Sequence, residues 1–119
     1  MAGIYIHIPF CKTRCAYCDF YSTTQTSLRE RYIQALCREL ELRNGYLQGH
    51  PVHTVYFGGG TPSQLRPTDL ERIFGLLYKV YGLEQCTEIT LEANPDDLTD
   101  DYVAALARLP FNRVSMGIQ

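Results

Sequence analysis

The sequence has no concentration of basic residues, no long apolar run and no internal repeat, and each absence removes a class of function. Eleven Lys and Arg stand against thirteen Asp and Glu, a net charge of −2. The basic residues are scattered, so the chain lacks the electrostatic footprint of a nucleic-acid binder. No apolar stretch reaches the length needed to span a bilayer. The opening Met1-Ala2-Gly3-Ile4-Tyr5 shows no basic segment followed by an apolar core, so no secretory signal is visible and the expected compartment is the reducing cytoplasm. What remains is an ordinary globular balance, 119 residues with 45% hydrophobic and 20% charged, enough for one domain with one core.

The most telling absence is a fourth cysteine. Cys11, Cys15 and Cys18 stand in the run Tyr5-Ile6-His7-Ile8-Pro9-Phe10-Cys11-Lys12-Thr13-Arg14-Cys15-Ala16-Tyr17-Cys18-Asp19-Phe20, and no other cysteine lies nearby. In a reducing compartment, clustered cysteines suggest a metal rather than disulfides. A cubane iron–sulfur cluster ordinarily takes four thiolates, so three would leave one iron open to something other than protein. An open position on a metal is where chemistry takes place, as at catalytic zinc. The competing reading is a structural zinc module with His7 or Asp19 as fourth ligand, against which stands the lack of a second paired ligand set. Cys37 falls on the apolar stripe of a helix and is expected in the core, and Cys86 carries no functional signal.

Short apolar runs alternate with helical periodicity along the whole chain. Gly3 to Ile8 reads as a strand ended by Pro9. Ser27, with Glu30 three residues on, reads as a capping-box start for a helix over Leu28 to Asn44, with Ile33, Leu36, Cys37 and Leu40 on one face and Gly45 as its stop. Val52 to Phe57 reads as a second strand closed by Gly58, Gly59 and Gly60. Thr68 and Glu71 then mark a second capped helix, whose buried stripe is Leu70, Ile73, Phe74 and Leu77. Glu88 to Glu92 is a third strand, Thr99 caps a third helix with Asp100 and Asp101 in its first turn, and Arg113 to Met116 begins a fourth strand. Such a βαβαβαβ order predicts an α/β fold with a parallel sheet.

Successive strand residues point to opposite faces, and the faces differ here. Ile4, Ile6 and Ile8 share one side while Tyr5 and His7 share the other; Ile89 and Leu91 oppose Thr90 and Glu92 in the same way. Strands covered by helices on both sides tend to be apolar throughout, so this alternation predicts a barrel or partial barrel with a polar interior. The cysteine loop, the glycine run, Glu92-Ala93-Asn94-Pro95 and Gly117-Ile118-Gln119 each follow the carboxyl end of a strand, the edge at which α/β folds bind ligands. Phe57-Gly58-Gly59-Gly60-Thr61-Pro62 lacks the Lys-Ser/Thr of a P-loop; it is either a tight turn or a place where main chain approaches a ligand closely. Glu92, facing inward, must pair with a basic side chain or receive a cationic ligand group. Tyr5 and His7 fit either a site or an ordinary interior.

Cys-x3-Cys-x2-Cys with Tyr17 before the last cysteine resembles the signature of the radical S-adenosylmethionine superfamily. Tyr5-Ile6-His7-Ile8-Pro9-Phe10-Cys11, Val55-Tyr56-Phe57-Gly58-Gly59-Gly60-Thr61-Pro62-Ser63, Leu91-Glu92-Ala93-Asn94-Pro95 and Arg113-Val114-Ser115-Met116-Gly117-Ile118-Gln119 are similar to its branch of oxygen-independent coproporphyrinogen III oxidases and HemW-type heme chaperones. The resemblance implies that Cys11, Cys15 and Cys18 hold a 4Fe-4S cluster whose fourth iron binds S-adenosylmethionine. It further implies reductive cleavage of that cosubstrate to a 5'-deoxyadenosyl radical. Carried over by position, Tyr5, Tyr17, Gly59, Gly60, Thr61, Glu92 and Gln119 line the cosubstrate pocket. The oxidases carry another cysteine two residues past the third, where this chain has Phe20. The resemblance therefore leans to a heme chaperone, with coproporphyrinogen decarboxylation as the alternative; heme or a porphyrinogen is the implied partner, and the electron donor and acceptor hemoprotein are not readable.

The resemblance also sets an expectation of extent. The family barrel has about six βα units and a further C-terminal domain, so residues 1–119 are expected to form the first three and a half units of a parallel (β/α)6 barrel. Such a piece would be expected to expose a sheet edge through which it self-associates, to be less stable than an intact domain, and to be inactive and poor in cluster.

Overall fold

A strand with one apolar face needs cover on that face only, and here a single helical layer supplies it. The computed structural model describes residues 2–9, 25–43 and 51–116. Strands β1 (Ala2–Ile8), β2 (Val52–Gly59), β3 (Glu88–Ala93) and β4 (Arg113–Met116) are parallel and pair in the order β1-β2-β3-β4. Helices α1 (Gln25–Leu42), α2 (Pro67–Leu76) and α3 (Asp100–Ala107) alternate with them. Parallel crossovers are right-handed almost without exception. Because the strand order never reverses, all three helices fall on one side, whereas a doubly wound sheet requires a reversal. The expected partial parallel barrel wall is therefore what the described residues build.

Register explains where the core lies. Ile6 aligns with Phe57, Phe57 with Leu91, and Leu91 with Val114, with Ile4, Val55 and Ile89 in the row below. Ile6, Ile8, Val55, Phe57, Ile89 and Leu91 are buried together with Ile33, Cys37 and Leu40 of α1, Leu70, Ile73 and Phe74 of α2, and Leu106 of α3. Cys37 thus takes the core position its spacing predicts, and Cys86 is partly buried beside it. Phe57, Phe74 and Phe111 meet at centroid distances of 5.0–5.4 Å, tilted or edge to face, as aromatic quadrupoles prefer. On the opposite face Tyr5 and His7 are exposed, while Tyr56, Glu92 and Ser115 are half-buried. Near the amino ends of the strands, Arg113 donates to Glu88.

Helix starts depart from the capping signals. The helix expected from Leu28 begins at Gln25, which puts Ser27 inside its first turn instead of at the cap, because neither Gln25 nor Thr26 is a breaker. It ends at Leu42 rather than Asn44; Gly45, the expected stop, lies outside the described residues. Glu30 instead pairs with Arg66 (3.5 Å) and Arg72 (3.0 Å). Thr68 likewise does not cap α2. Arg66 occupies the cap and Pro67 the first turn, where its fixed φ and missing N–H suit a helix start, and the Asp69 carboxylate accepts the Arg66 N–H at 3.2 Å. Past Leu76 the helix widens into a π-type turn over Leu77–Tyr81 and stops at Gly82, whose φ of 75° is left-handed and whose N–H returns to Leu77 O at 3.0 Å. Thr99 does cap α3, accepting the Tyr102 N–H at 3.2 Å.

Between the free edge of β1 and α1 runs a cavity of about 330 Å³ lined by Gly3 to His7, Tyr32, Leu36, Leu40 and Tyr81 among others. Tyr81 closes its lower end by donating to Leu40 O at 2.9 Å.

Phe57 joins strand to helix in this core at 0% exposure. Truncating a buried phenylalanine costs about 3–5 kcal/mol, against total domain stabilities of about 5–15 kcal/mol. Phe57→Ala is expected to remove most of the stability of the chain, read as a lowered urea midpoint with an unchanged slope.

Candidate functional site

Glu92 ends the polar face of β3 and is held from two sides. The Tyr56 hydroxyl donates to its Oε2 at 2.6 Å, and the Gly59 N–H donates to its Oε1 at 3.1 Å. Both donors come from β2, so the carboxylate bridges the upper ends of two neighbouring strands. No basic side chain among the described residues forms an ion pair with it. The bond to Glu92, then burial, raises the Tyr56 phenol above its ordinary range. Its ring stacks on Tyr5 of β1 at 5.8 Å and 12°, which brings three strands into one contact chain. Tyr5 still leaves 58% of its surface open.

The glycines fit this arrangement tightly. A Cβ on Gly58 would come 2.7 Å from the Tyr5 hydroxyl, and one on Gly59 would come 2.7 Å from His7 Nδ1 and 2.8 Å from Ile8 O. Gly59 also has φ of 109°, a conformation open to glycine but strained for other residues. The Gly60 N–H donates to Ile8 O at 2.7 Å. Packing against β1 is thus a reason for Gly58 and Gly59 that the sequence motif did not reveal. Beyond them, the chain turns through a 3-10 segment at Pro62–Gln64 and meets a matching turn after β3, Pro95–Asp97. Ser63 donates to Asp97 Oδ2 at 2.7 Å, Gln64 donates to Asp97 Oδ1 at 2.8 Å, and the Asn94 N–H donates to Ser63 Oγ at 3.0 Å. Tyr102, its phenol pushed up mainly by burial, adds a bond to Leu65 O at 2.9 Å.

Of the residues singled out from sequence, Tyr5, Gly59, Gly60, Thr61 and Glu92 come together along this rim. Cys11, Cys15, Cys18, Tyr17 and Gln119 lie outside the described residues. Sequence reasoning missed Tyr56, although it shares the inward parity of Gly58. It also missed Ser63 and Asp97, whose pairing depends on two loops meeting. Thr61 is 2% exposed and its hydroxyl has no hydrogen-bond partner among the described residues. A buried hydroxyl without a partner ordinarily has one supplied from elsewhere. With Glu92 still able to accept further bonds, the rim suits a ligand bearing ammonium or hydroxyl donors, and so fits the cosubstrate that the cysteine motif implies.

Comparison with known proteins agrees with this architecture. Residues 5–119 match the family model of the Radical SAM superfamily, and the chain belongs to that family. A heme chaperone HemW from Mycobacterium tuberculosis (strain CDC 1551 / Oshkosh) is 40% identical over 121 residues, taking in 98% of this chain and 31% of the relative. An anaerobilin synthase from Escherichia coli O157:H7 is also 40% identical, over 98% of this chain and 27% of its own length. The solved structure of coproporphyrinogen III oxidase from Escherichia coli, a radical SAM enzyme, matches with a TM-score of 0.77 at 30% identity, covering 99% of this chain and 28% of that one. The chain thus spans about a third of the length of the relatives it matches.

Two glycines separate strain from propensity. Gly59→Ala forces a side chain into a left-handed conformation and into the Ile8 carbonyl, and is expected to lower stability by about 1–3 kcal/mol. Gly75→Ala, on an exposed turn of α2 with nothing within 4 Å, is expected to raise it by about 0.5–1 kcal/mol. Thermal unfolding of the two variants beside the parent tests both signs.

Proposed function

We propose that this protein is a radical S-adenosylmethionine iron–sulfur protein of heme metabolism, of the heme-chaperone type. One observation carries the reading. Three cysteines in Cys-x3-Cys-x2-Cys spacing come next in the sequence after β1, whose carboxyl end meets the rim where Glu92, Thr61 and the glycine turn leave acceptor and donor groups for a ligand. Cys11, Cys15 and Cys18 would hold the cluster, and Tyr5, Tyr17, Gly59, Gly60, Thr61, Glu92 and Gln119 would line the cosubstrate pocket. When bound, cluster and cosubstrate together supply reductive carbon–sulfur cleavage. The chain's own residues bind and orient: Glu92 accepts donor groups of the ligand, the Thr61 hydroxyl gains its missing partner, and Tyr5 gives a flat wall. Orientation and exclusion of competing reactions are the protein's part in such chemistry.

Relatives named heme chaperone, and Phe20 in place of a further cysteine, support heme as the partner. Residues 1–119 act in this reading as the first part of the radical SAM barrel, in the cytoplasm. The second reading, oxidative decarboxylation of coproporphyrinogen III, is supported by the structural likeness to the Escherichia coli oxidase.

Anaerobic reconstitution with iron and sulfide tests the cluster. The expected product is brown, with broad visible absorption and about four irons and four sulfides per chain; Cys11→Ser, Cys15→Ser and Cys18→Ser should each lose most of the iron. A colourless protein retaining zinc would favour the structural zinc module instead. With the intact protein, stoichiometric heme binding without turnover supports the chaperone, and anaerobic conversion of coproporphyrinogen III would replace that reading with the oxidase.

A further inference from the structure

The proposed cosubstrate site rests on a carboxylate whose own support comes in part from Tyr56, a residue of the glycine-run motif that the resemblance does not assign to the pocket. An ionised carboxylate offers about four acceptor positions. In Glu92 one on each oxygen is taken, by the Tyr56 hydroxyl and by the Gly59 N–H, which leaves about two for a ligand. A free glutamate side chain would sample several rotamers and lose that freedom when a ligand fixed it. Two bonds from one strand remove that freedom before the ligand arrives. Tyr56 is itself fixed, since its ring stacks on Tyr5, and its hydroxyl is the only part engaged with Glu92. On the core side of the same strand, Val55 and Phe57 do the packing, so Tyr56 has no core role to explain it.

We propose that Tyr56 is a positioning residue for the S-adenosylmethionine site, holding the Glu92 carboxylate in one rotamer with its remaining acceptor positions turned to the ligand. The proposal rests on the reading that Glu92 contacts that ligand, and it makes the contribution of Tyr56 conditional on Glu92. A bond from a neutral donor to a charged acceptor is among the stronger kinds, and the relaxed carboxylate recovers part of it by other contacts.

Isothermal titration of S-adenosylmethionine into anaerobically reconstituted protein, as parent, Tyr56→Phe, Glu92→Gln and the double variant, tests it. Tyr56→Phe keeps the ring and its stack. It is expected to weaken binding by about five- to tenfold alone, and to add less than about twofold in the Glu92→Gln background. Equal losses in both backgrounds would mean Tyr56 acts structurally, and the proposal falls. Parental binding by Tyr56→Phe beside a weakened Glu92→Gln overturns the proposal and leaves the assigned ligand contact standing. Parental binding by Glu92→Gln removes that contact and the proposal with it. The Gly59 amide resonance gives a second readout that needs neither cluster nor ligand. It should move in Tyr56→Phe as the carboxylate relaxes, and an unmoved resonance overturns the positioning role even where the cluster cannot be rebuilt.

Discussion

A right-handed crossover between parallel strands puts its helix on a fixed side of the sheet, and three crossovers in one direction put all three helices there. Everything else in this molecule follows from that one-sidedness. The covered face must be apolar, and it is, in the rows through Ile6, Phe57 and Leu91. The other face is left with polar side chains, and the loops at its carboxyl end are left facing each other. The same geometry brings Glu92 to the top of β3 beside the last residues of β2. From there a carboxylate can be held by a neighbour's hydroxyl and amide.

Strand parity was legible because isoleucine alternates with Tyr5 and His7 from Ile4 to Ile8 in β1, and the barrel expectation needed only that alternation and the repeated βα order. The rim was legible for the same reason, since a motif that follows a strand must lie at its carboxyl end. Helix starts were less so. Ser27 and Thr68 each carry a sound local capping signal, yet a proline at position 67 and the Asp69 return bond outweigh Thr68. Pairing across strands could not be read at all. Tyr56 and Glu92 are 36 residues apart, and Ser63 and Asp97 are 34 apart; both pairs need the register between β2 and β3, which the hydrophobic pattern constrains only to within a two-residue slip. The glycines show the same limit, because much of what crowds Gly58 and Gly59, namely Tyr5, His7 and the Ile8 carbonyl, belongs to β1.

The rim is also more rigid than a set of loops would suggest. Ser63, Gln64, Asn94 and Asp97 tie the turns after β2 and β3 into one unit, and Tyr102 anchors that unit to the chain at Leu65. The groups proposed to receive a ligand are therefore carried on a preformed frame. Little ordering remains to be done on binding, which is how preorganisation favours affinity.

Tyr32 has a different significance. Ile8 O faces β2, where Gly60 meets it, and backbone groups alternate sides along a strand, so the carbonyls of Gly3, Tyr5 and His7 face outward. Tyr32 donates its hydroxyl to the last of these, His7 O. This takes up one of the outward-facing carbonyls of β1, at the carboxyl end of the strand. A helix laid beside an edge strand is one of the ways in which proteins blunt such an edge. A single tyrosine on α1 thus puts a side chain where a further strand would hydrogen-bond, a contact on the outer side of the sheet and not in its core.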